Sequence, residues 1–382
     1  MPSDSSTVLV SGASVAGTAL AYWLIRHGFD VTVVERHPGL RPGGQAIDVR
    51  GPALKVLDRM GLLEAAAAKI TAIRGMSVVD ANGNEIHRNT EITGTGGVID
   101  NSDLELLRED LVALIYSTTL DAEYLFDDTI VAIDECADKV RVSFENHPDR
   151  AFDLVIGADG VHSNVRRLAF GPEASVSKRM GQFLAICTAS NFLDLDYWQM
   201  WHYDDARERF AGVYSAHNNS ESRIIFGFTD KQLTLDYRDV AAQRAEIERR
   251  FADSGPFASQ LLDTMRGARD FYCDEMTQII MDTWTSDRIA LIGDAAHCCS
   301  PMSGQGTSLA LLDAYALAGE LATTDGDHRQ GFAAFETTMH DYAVNSQALA
   351  FLDSRDTQAW EEAFYPVVNA FTVNDYPLRT PE

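Results

Sequence analysis

The chain has 382 residues, 46% of them hydrophobic and 23% charged, with a formal net charge of −26. That length supports a large core and two domains, and the composition is that of an ordinary globular protein. So negative a chain repels phosphate backbones, which excludes nucleic acid as a partner, and no apolar run approaches the roughly 20 residues that cross a bilayer, so membrane insertion is not expected.

In chain order, Thr7 to Ser11 reads as a buried strand, followed by the turn Gly12-Ala13-Ser14-Val15-Ala16-Gly17. A helix then places Ala16, Ala19, Leu20, Trp23, Leu24 and His27 on one inward face, with Gly28 as its C-terminal cap. Val31 to Glu35 is the next buried strand, so the chain opens on a βαβ unit with a parallel sheet. The loop Arg41-Pro42-Gly43-Gly44-Gln45-Ala46-Ile47-Asp48 follows. Met76 to Asp80 and Glu85 to Asn89 flank Ala81-Asn82-Gly83-Asn84, and Asn-Gly predicts a hairpin with a type I′ turn. Leu104 to Tyr116 has helical periodicity, and Lys139 to Phe144 reads as an antiparallel strand. Phe152 to Ile156 is a buried strand leading into Gly157-Ala158-Asp159-Gly160.

Four short strands come next, Phe183 to Ala189, Tyr197 to Tyr203, Phe210 to His217 and Arg223 to Thr229, an antiparallel-sheet pattern. A helix from Val240 to Asp253 is ended by Ser254-Gly255-Pro256, and Thr277 to Thr283 reads as another strand. Arg288 to Ile292 is a buried strand before Gly293-Asp294-Ala295-Ala296-His297, and Ser308 to Thr323 and His328 to Asp353 are long helical stretches. The fold class is α/β: a Rossmann-like domain over 1–73, 99–176 and 277–325 interleaved with an antiparallel-sheet substrate domain over 74–98 and 177–276. Residues 326–382 form a bridging C-terminal helix and tail.

The opening turn has the chemistry of a phosphate site. Its helix N-terminus, at Ser14, Val15 and Ala16, offers unpaired N–H groups and partial positive charge to a pyrophosphate. Gly12 permits the tight turn, Gly17 permits close packing, and Ser14 stands where the dinucleotide pattern has its second glycine. Glu35 can accept hydrogen bonds from ribose hydroxyls. Arg36 reads as a selector of a 2′-phosphate, a contact at the adenine end of a dinucleotide, or a solvated side chain.

The three glycine-acidic pieces, ending at Glu35, Gly160 and His297, together resemble the class A FAD-dependent monooxygenases of the para-hydroxybenzoate hydroxylase type. The spacing Gly-Asp-Ala-Ala-His-x-x-x-Pro-x-x-Gly-Gln-Gly is the most specific signal. Length, layout and the C-terminal helix also resemble the tetracycline-inactivating monooxygenases. The resemblance implies non-covalent FAD, NADPH or NADH as transient reductant and O2 as co-substrate, with a C4a-hydroperoxide of the flavin transferring one oxygen atom to a small aromatic or polycyclic substrate. It places Asp159 under the flavin's ribityl and pyrophosphate region, Asp294 on the ribityl chain, and Gln45 and Arg108 beside the cofactor. It puts Pro301, Gly304, Gln305, Gly306 and Thr307 near the ring, where a helix N-terminus stabilises the anionic reduced flavin. The cofactor carries the chemistry, so no protein base is required. Trp201, Tyr203, Tyr214 and Phe226 are the candidate substrate contacts, and strand alternation puts Trp201 and Tyr203 on one face. His297 reads as structural rather than as a base.

Other flavin oxidoreductases on the same fold stay open, and a halogenase is less favoured because the chain has no Trp-x-Trp-x-Ile-Pro stretch. A short-chain reductase requires Tyr-x-x-x-Lys, which no tyrosine here satisfies. A non-catalytic flavin holder and a Baeyer–Villiger oxygenase stay open. No metal motif is present. Five cysteines, Cys136, Cys187, Cys273, Cys298 and Cys299, have no Cys-x-x-Cys spacing. They argue against disulfides and zinc and for reduced thiols in the cytoplasm. The N-terminus, Met1-Pro2-Ser3-Asp4-Ser5-Ser6, does not read as a signal peptide. A monomer or homodimer is expected.

Overall fold

Runs such as Val8-Leu9-Val10 and Leu154-Val155-Ile156 are apolar at every position, and only a strand covered on both faces can hide such a run. They build a five-stranded parallel sheet in the order Ile289–Leu291, Leu154–Gly157, Thr7–Ser11, Asp30–Glu35 and Glu123–Phe126. The computed structural model describes residues 6–99, 101–324, 327–352 and 357–378. Met1–Ser5 and Asp353, read in the sequence, lie outside the described residues. The helix Val15–Arg26 covers the sheet and packs against the helix Gly306–Thr323, with the Trp23 and Tyr315 rings edge-on at 4.8 Å. Gly17 lets the helix lie close on the turn and strand that precede it: a Cβ there would lie 1.8 Å from the Gly12 carbonyl oxygen and 3.4 Å from Val10.

A second, seven-stranded sheet runs Tyr272–Ile279, Ser177–Ser190, Glu221–Thr229, Arg209–Ala216, Gln199–Asp204, Met76–Val79 and Glu85–Asn89. It is antiparallel except where Gln199–Asp204 meets Met76–Val79. One face packs under the helices Val240–Phe251 and Gly255–Gly267 in a core that includes Phe183, Phe226, Phe228 and Phe251. The other face carries Met76, Ile186, Trp201, Tyr214 and Ile225 and meets Ala46 of the 41–48 loop. A three-stranded sheet of Ile130–Glu135, Val140–Phe144 and Arg150–Phe152 completes the larger strand groups. The helix Thr357–Val368 follows, with Phe364 and Val368 buried. Among the described residues no helix is long and apolar enough to cross a membrane.

Several expectations are corrected. Leu104 to Tyr116 is not one helix: Leu104–Leu107 is a strand paired with Ala46–Val49, and the helix is Arg108–Tyr116. The 80–84 hairpin turn is not type I′, because Gly83 takes positive φ and Asn82 does not. The Gly83 N–H donates to the Asp80 carbonyl at 3.0 Å, and the Asp80 carboxylate accepts from the Asn82 and Asn84 N–H groups. Asp80 thus stabilises a type I turn with a glycine bulge. Ser254-Gly255-Pro256 ends one helix but also starts the next, with Pro256 in its first turn, where a missing N–H is harmless. The strand expected at 277–283 runs over Tyr272–Ile279.

Candidate functional site

The three glycine turns meet at the C-terminal ends of the parallel strands. Gly12 has φ +106, and a Cβ there would lie 2.5 Å from the Ala158 carbonyl oxygen, so the first and second turns touch. A Cβ on Gly293 would lie 3.3 Å from Ala16 and 3.8 Å from Ala310, which brings the third turn and the long helix against the first. Glu35 closes the group: its carboxylate accepts the Ala13 N–H at 2.8 Å and the His37 N–H at 2.9 Å. Ser14 caps the helix Val15–Arg26 with extended backbone and no side-chain cap bond. Arg36 is exposed beside Glu35.

Asp294 is solvent-exposed although protein surrounds it, and that surrounding pushes its carboxyl above the ordinary value. Among the described residues, and beyond its chain neighbours and its own helix backbone, a Cβ built at Gly306 would meet only Asp294 Oδ1 within 4 Å, at 3.8 Å. Asp294 and the N-terminus of the helix Gly306–Thr323 therefore face each other. Gly304 has φ +61 and lies by Phe364 and Arg50; Gln305 is buried with an unpartnered Oε1; Thr307 is half-buried and Pro301 exposed. Asp159 is engaged by the protein itself. Its carboxylate accepts the Ser163 hydroxyl and the Asn164 and Val165 N–H groups, so it caps the helix Asn164–Ala169 and shapes the turn.

The 41–48 loop is clamped on several sides. Arg108 Nη2 donates to the Arg41 and Gly43 carbonyls, both at 2.7 Å, and its N–H donates to the Gln45 carbonyl at 3.2 Å. Arg108 Nε is buried without a partner, and burial lowers the guanidinium to about 10. The Tyr214 hydroxyl accepts the Ala46 N–H at 2.8 Å. Tyr214 is thus a buried brace, and burial pushes its phenol well up.

Of the four aromatic candidates, Trp201 and Tyr203 do share a face, stacked at 6.5 Å. Trp201 is buried between Gly94 and Gly212, and its Nε1 donates to Gln199 Oε1 at 2.9 Å. Tyr203 is 42% exposed. Phe226 is a correction: it points to the opposite face and packs on Phe251 at 4.9 Å, because alternation along Glu221–Thr229 turns Ile225 toward the loop and Phe226 away. Two cavities, of about 620 Å³ beside Trp198 and Met200 and about 580 Å³ beside Lys178, Met302 and Phe351, include none of the three glycine turns.

The chain matches the family described as FAD binding domain over residues 5–332. It is 37% identical over 341 residues to a flavin-dependent monooxygenase of an unknown prokaryotic organism, covering 89% of this chain and 87% of that protein. This chain belongs to the flavin-dependent monooxygenase family. As a family member it is an oxidoreductase enzyme with an FAD-binding domain. An uncharacterized protein of Mycobacterium tuberculosis is 57% identical over 372 residues, 97% of this chain and 100% of that one. The crystal structure of tetracycline destructase Tet(51) superposes with a TM-score of 0.88 at 30% identity, covering 97% of this chain and 100% of that chain.

Sequence reading of the monooxygenase missed residues whose partners are distant. His162 is one. Its Nδ1 is 3.0 Å from Glu173, its Nε2 is 2.9 Å from Asp274, and its ring stacks on Tyr237 at 3.8 Å. Burial works against its charge, but the two carboxylates outweigh it and raise the imidazole to about 9. A raised folded-state value contributes stability that is fully present below the unfolded value of about 6.5 and lost as pH rises through 9. We expect on the order of 2–3 kcal/mol to disappear across that window in denaturant titrations. His162→Gln should flatten this pH dependence; a slope equal to that of the unaltered protein would show that the pair does not act.

Arg223 is another. Glu109, His217 and Glu221 come within 4.8 Å of one another, a spacing that could hold a metal ion. The Arg223 guanidinium already lies against both carboxylates, 2.7 Å from Glu109 and 2.8 Å from Glu221, so a cation occupies the cluster.

Proposed function

We propose that this chain is an FAD-dependent, NAD(P)H-consuming monooxygenase that transfers one oxygen atom from O2 to a small aromatic or polycyclic molecule. The observation that carries this reading is the convergence of the Gly12 turn, Glu35, Asp294 and the N-terminus of Gly306–Thr323 at the C-terminal end of the parallel strands. These residues fit FAD. Gly306 leaves room for a close approach, Gln305 keeps a buried acceptor without a partner, and Asp294 presents an exposed carboxyl beside Gly306.

The backbone N–H groups of Ser14, Val15 and Ala16 would hold the pyrophosphate at the turn that Gly12 makes possible, the Gly12 N–H itself donating to the Val34 carbonyl at 2.8 Å. Glu35 would accept from the ribose and Asp294 from the ribityl hydroxyls, while Asp159 shapes the turn and Arg36 lies at the adenine end. Gln45 and Arg108 would border the ring on the side of the 41–48 loop. Pro301, Gly304, Gly306 and Thr307 would present the helix N-terminus to its polar edge, favouring negative charge there. Bound FAD supplies electron transfer from the nicotinamide and activation of O2. The protein binds, orients and excludes water.

Trp201 supports the substrate side from within the sheet, and Tyr203, on the same face, offers a partly open aromatic surface to a planar molecule. The likeness to tetracycline destructases supports a polycyclic substrate class. Five free thiols fit a reducing cytoplasm.

The test begins with purified protein. It should release FAD into the supernatant on acid precipitation, and anaerobic NADPH or NADH should bleach the flavin's visible absorbance. Labelled O2 should then place one labelled atom in the product formed from a polycyclic phenol. Flavin-free protein, or flavin that neither nucleotide reduces, would overturn the reading.

A further inference from the structure

The third glycine turn is gripped from behind by a buried pair that the reading above does not use. Asp313 lies on the helix Gly306–Thr323 and is fully buried. Its Oδ2 accepts the Gly293 N–H at 2.6 Å and lies 2.9 Å from His297 Nε2. Gly293 immediately precedes Asp294, and His297 ends the short helix Asp294–His297. One carboxylate therefore holds both ends of the segment that carries Asp294.

The surroundings make this more than ordinary packing. Asp313 Oδ1 and both ring nitrogens of His297 are buried without a well-aligned hydrogen bond, so the 2.9 Å approach of Nε2 to Asp313 is an ion-pair contact. Trp284 closes over the imidazole, ring centres 4.4 Å apart. Burial disfavours a charged His297, but Asp313 and Asp294 outweigh it and raise the imidazole above its ordinary value. A charged pair sealed from water is costly to build, and loss of one partner leaves the other stranded. Gly293 itself takes φ +57 and ψ −139, a conformation that a bond from its N–H helps to hold. Asp313 sits on the same helix whose first residue, Gly306, faces Asp294. Movement of that helix and orientation of Asp294 are thus mechanically joined.

We infer that Asp313 and His297 are positioning residues that act as a pair, holding the Gly293–Asp294 turn toward FAD and thereby setting both the affinity for FAD and the reduction potential of the bound flavin. This rests on the FAD reading proposed above. Neither residue need touch the cofactor.

The test compares Asp313→Asn, His297→Gln and the double variant D313N/H297Q with the unaltered protein. Near-ultraviolet circular dichroism of the apoprotein checks the fold. FAD binding is read by fluorescence titration and the potential by anaerobic dye equilibration. Each single variant should bind FAD at least tenfold more weakly and shift the potential. An amide in both positions restores a matched pair without a stranded charge, so the double variant should regain affinity and potential toward the original values. Single variants with unchanged affinity and potential would overturn the inference, as would losses that add in the double variant. If Asp313→Asn fails to fold, His297→Gln decides alone, since it keeps the carboxylate bond to Gly293: unchanged FAD affinity and potential refute the pair. Failure of the unaltered protein to bind FAD would instead refute the reading on which the inference rests.

Discussion

Gly306→Val should leave the apoprotein folded and weaken FAD binding at least a hundredfold. The protein itself does not require glycine at this position. Gly306 is not among the positive-φ residues, and beyond its chain neighbours and its own helix backbone a Cβ there would have only Asp294 Oδ1 within 4 Å, at 3.8 Å, among the described residues. Valine is a somewhat better helix former than glycine, by roughly 0.3 kcal/mol, so thermal unfolding of the apoprotein should be unchanged or slightly raised. What the side chain would fill is the approach to the helix N-terminus. If the flavin's polar edge lies there, a branched side chain pushes it from the N–H groups and the helix dipole, a loss of about 3 kcal/mol or more. Gly12→Val is the contrasting control, because φ +106 and the 2.5 Å approach to Ala158 make that substitution damage the chain itself. Near-original FAD affinity in Gly306→Val, measured by fluorescence titration, would remove the helix N-terminus from the cofactor site.

The features legible in the sequence are those whose cause is local. Gly12 and Gly17 sit in a strand-turn-helix, and their spacing alone predicts the βαβ opening that the structure contains. Strand alternation likewise places Trp201 and Tyr203 together. Alternation is silent on which face is covered, however, and so Phe226 is misassigned: only the helices at 240–267 decide that its side of the sheet is core. Leu104–Leu107 is four residues of apolar-rich chain that helix and strand templates fit equally, and its pairing with Ala46–Val49 decides the matter. His162, Arg223 and Asp313 carry no periodic signal. Asp274 is 112 residues from His162, and Glu109 is 114 from Arg223. A charged side chain without a local partner reads as solvated until the fold brings its counterpart.

Arg223→Met should destabilise the enzyme by about 3 kcal/mol and loosen the loop that runs from Arg41 to Asp48. The arginine side chain is fully buried and serves three partners: Nε donates to the Gly44 carbonyl at 3.0 Å, Nη2 to Glu109 at 2.7 Å and Nη1 to Glu221 at 2.8 Å. Those partners belong to the loop, to the helix Arg108–Tyr116 and to the seven-stranded sheet, so one guanidinium ties three elements together. Methionine nearly matches its length but leaves the carboxylates of Glu109 and Glu221 without their cation. The cost falls at the low end for a broken buried pair because both carboxylates reach solvent, at 23% and 37% exposure, and His217 stands 2.8 Å from Glu221. Arg223→Lys should recover less than half of the loss, since an ammonium cannot present a planar fork to three acceptors. The Gly44 carbonyl loses its donor in the methionine variant. The Glu109 bond to the Gly43 N–H at 2.5 Å must then hold the loop against a newly unneutralised carboxylate. FAD affinity should therefore fall together with stability, whereas a substitution in the helix-covered core, such as Phe226→Leu, should lower stability and spare affinity. Equal FAD affinity in the Arg223→Met variant and the unaltered protein, read at a temperature where both are folded, would show that the loop is not held for the cofactor.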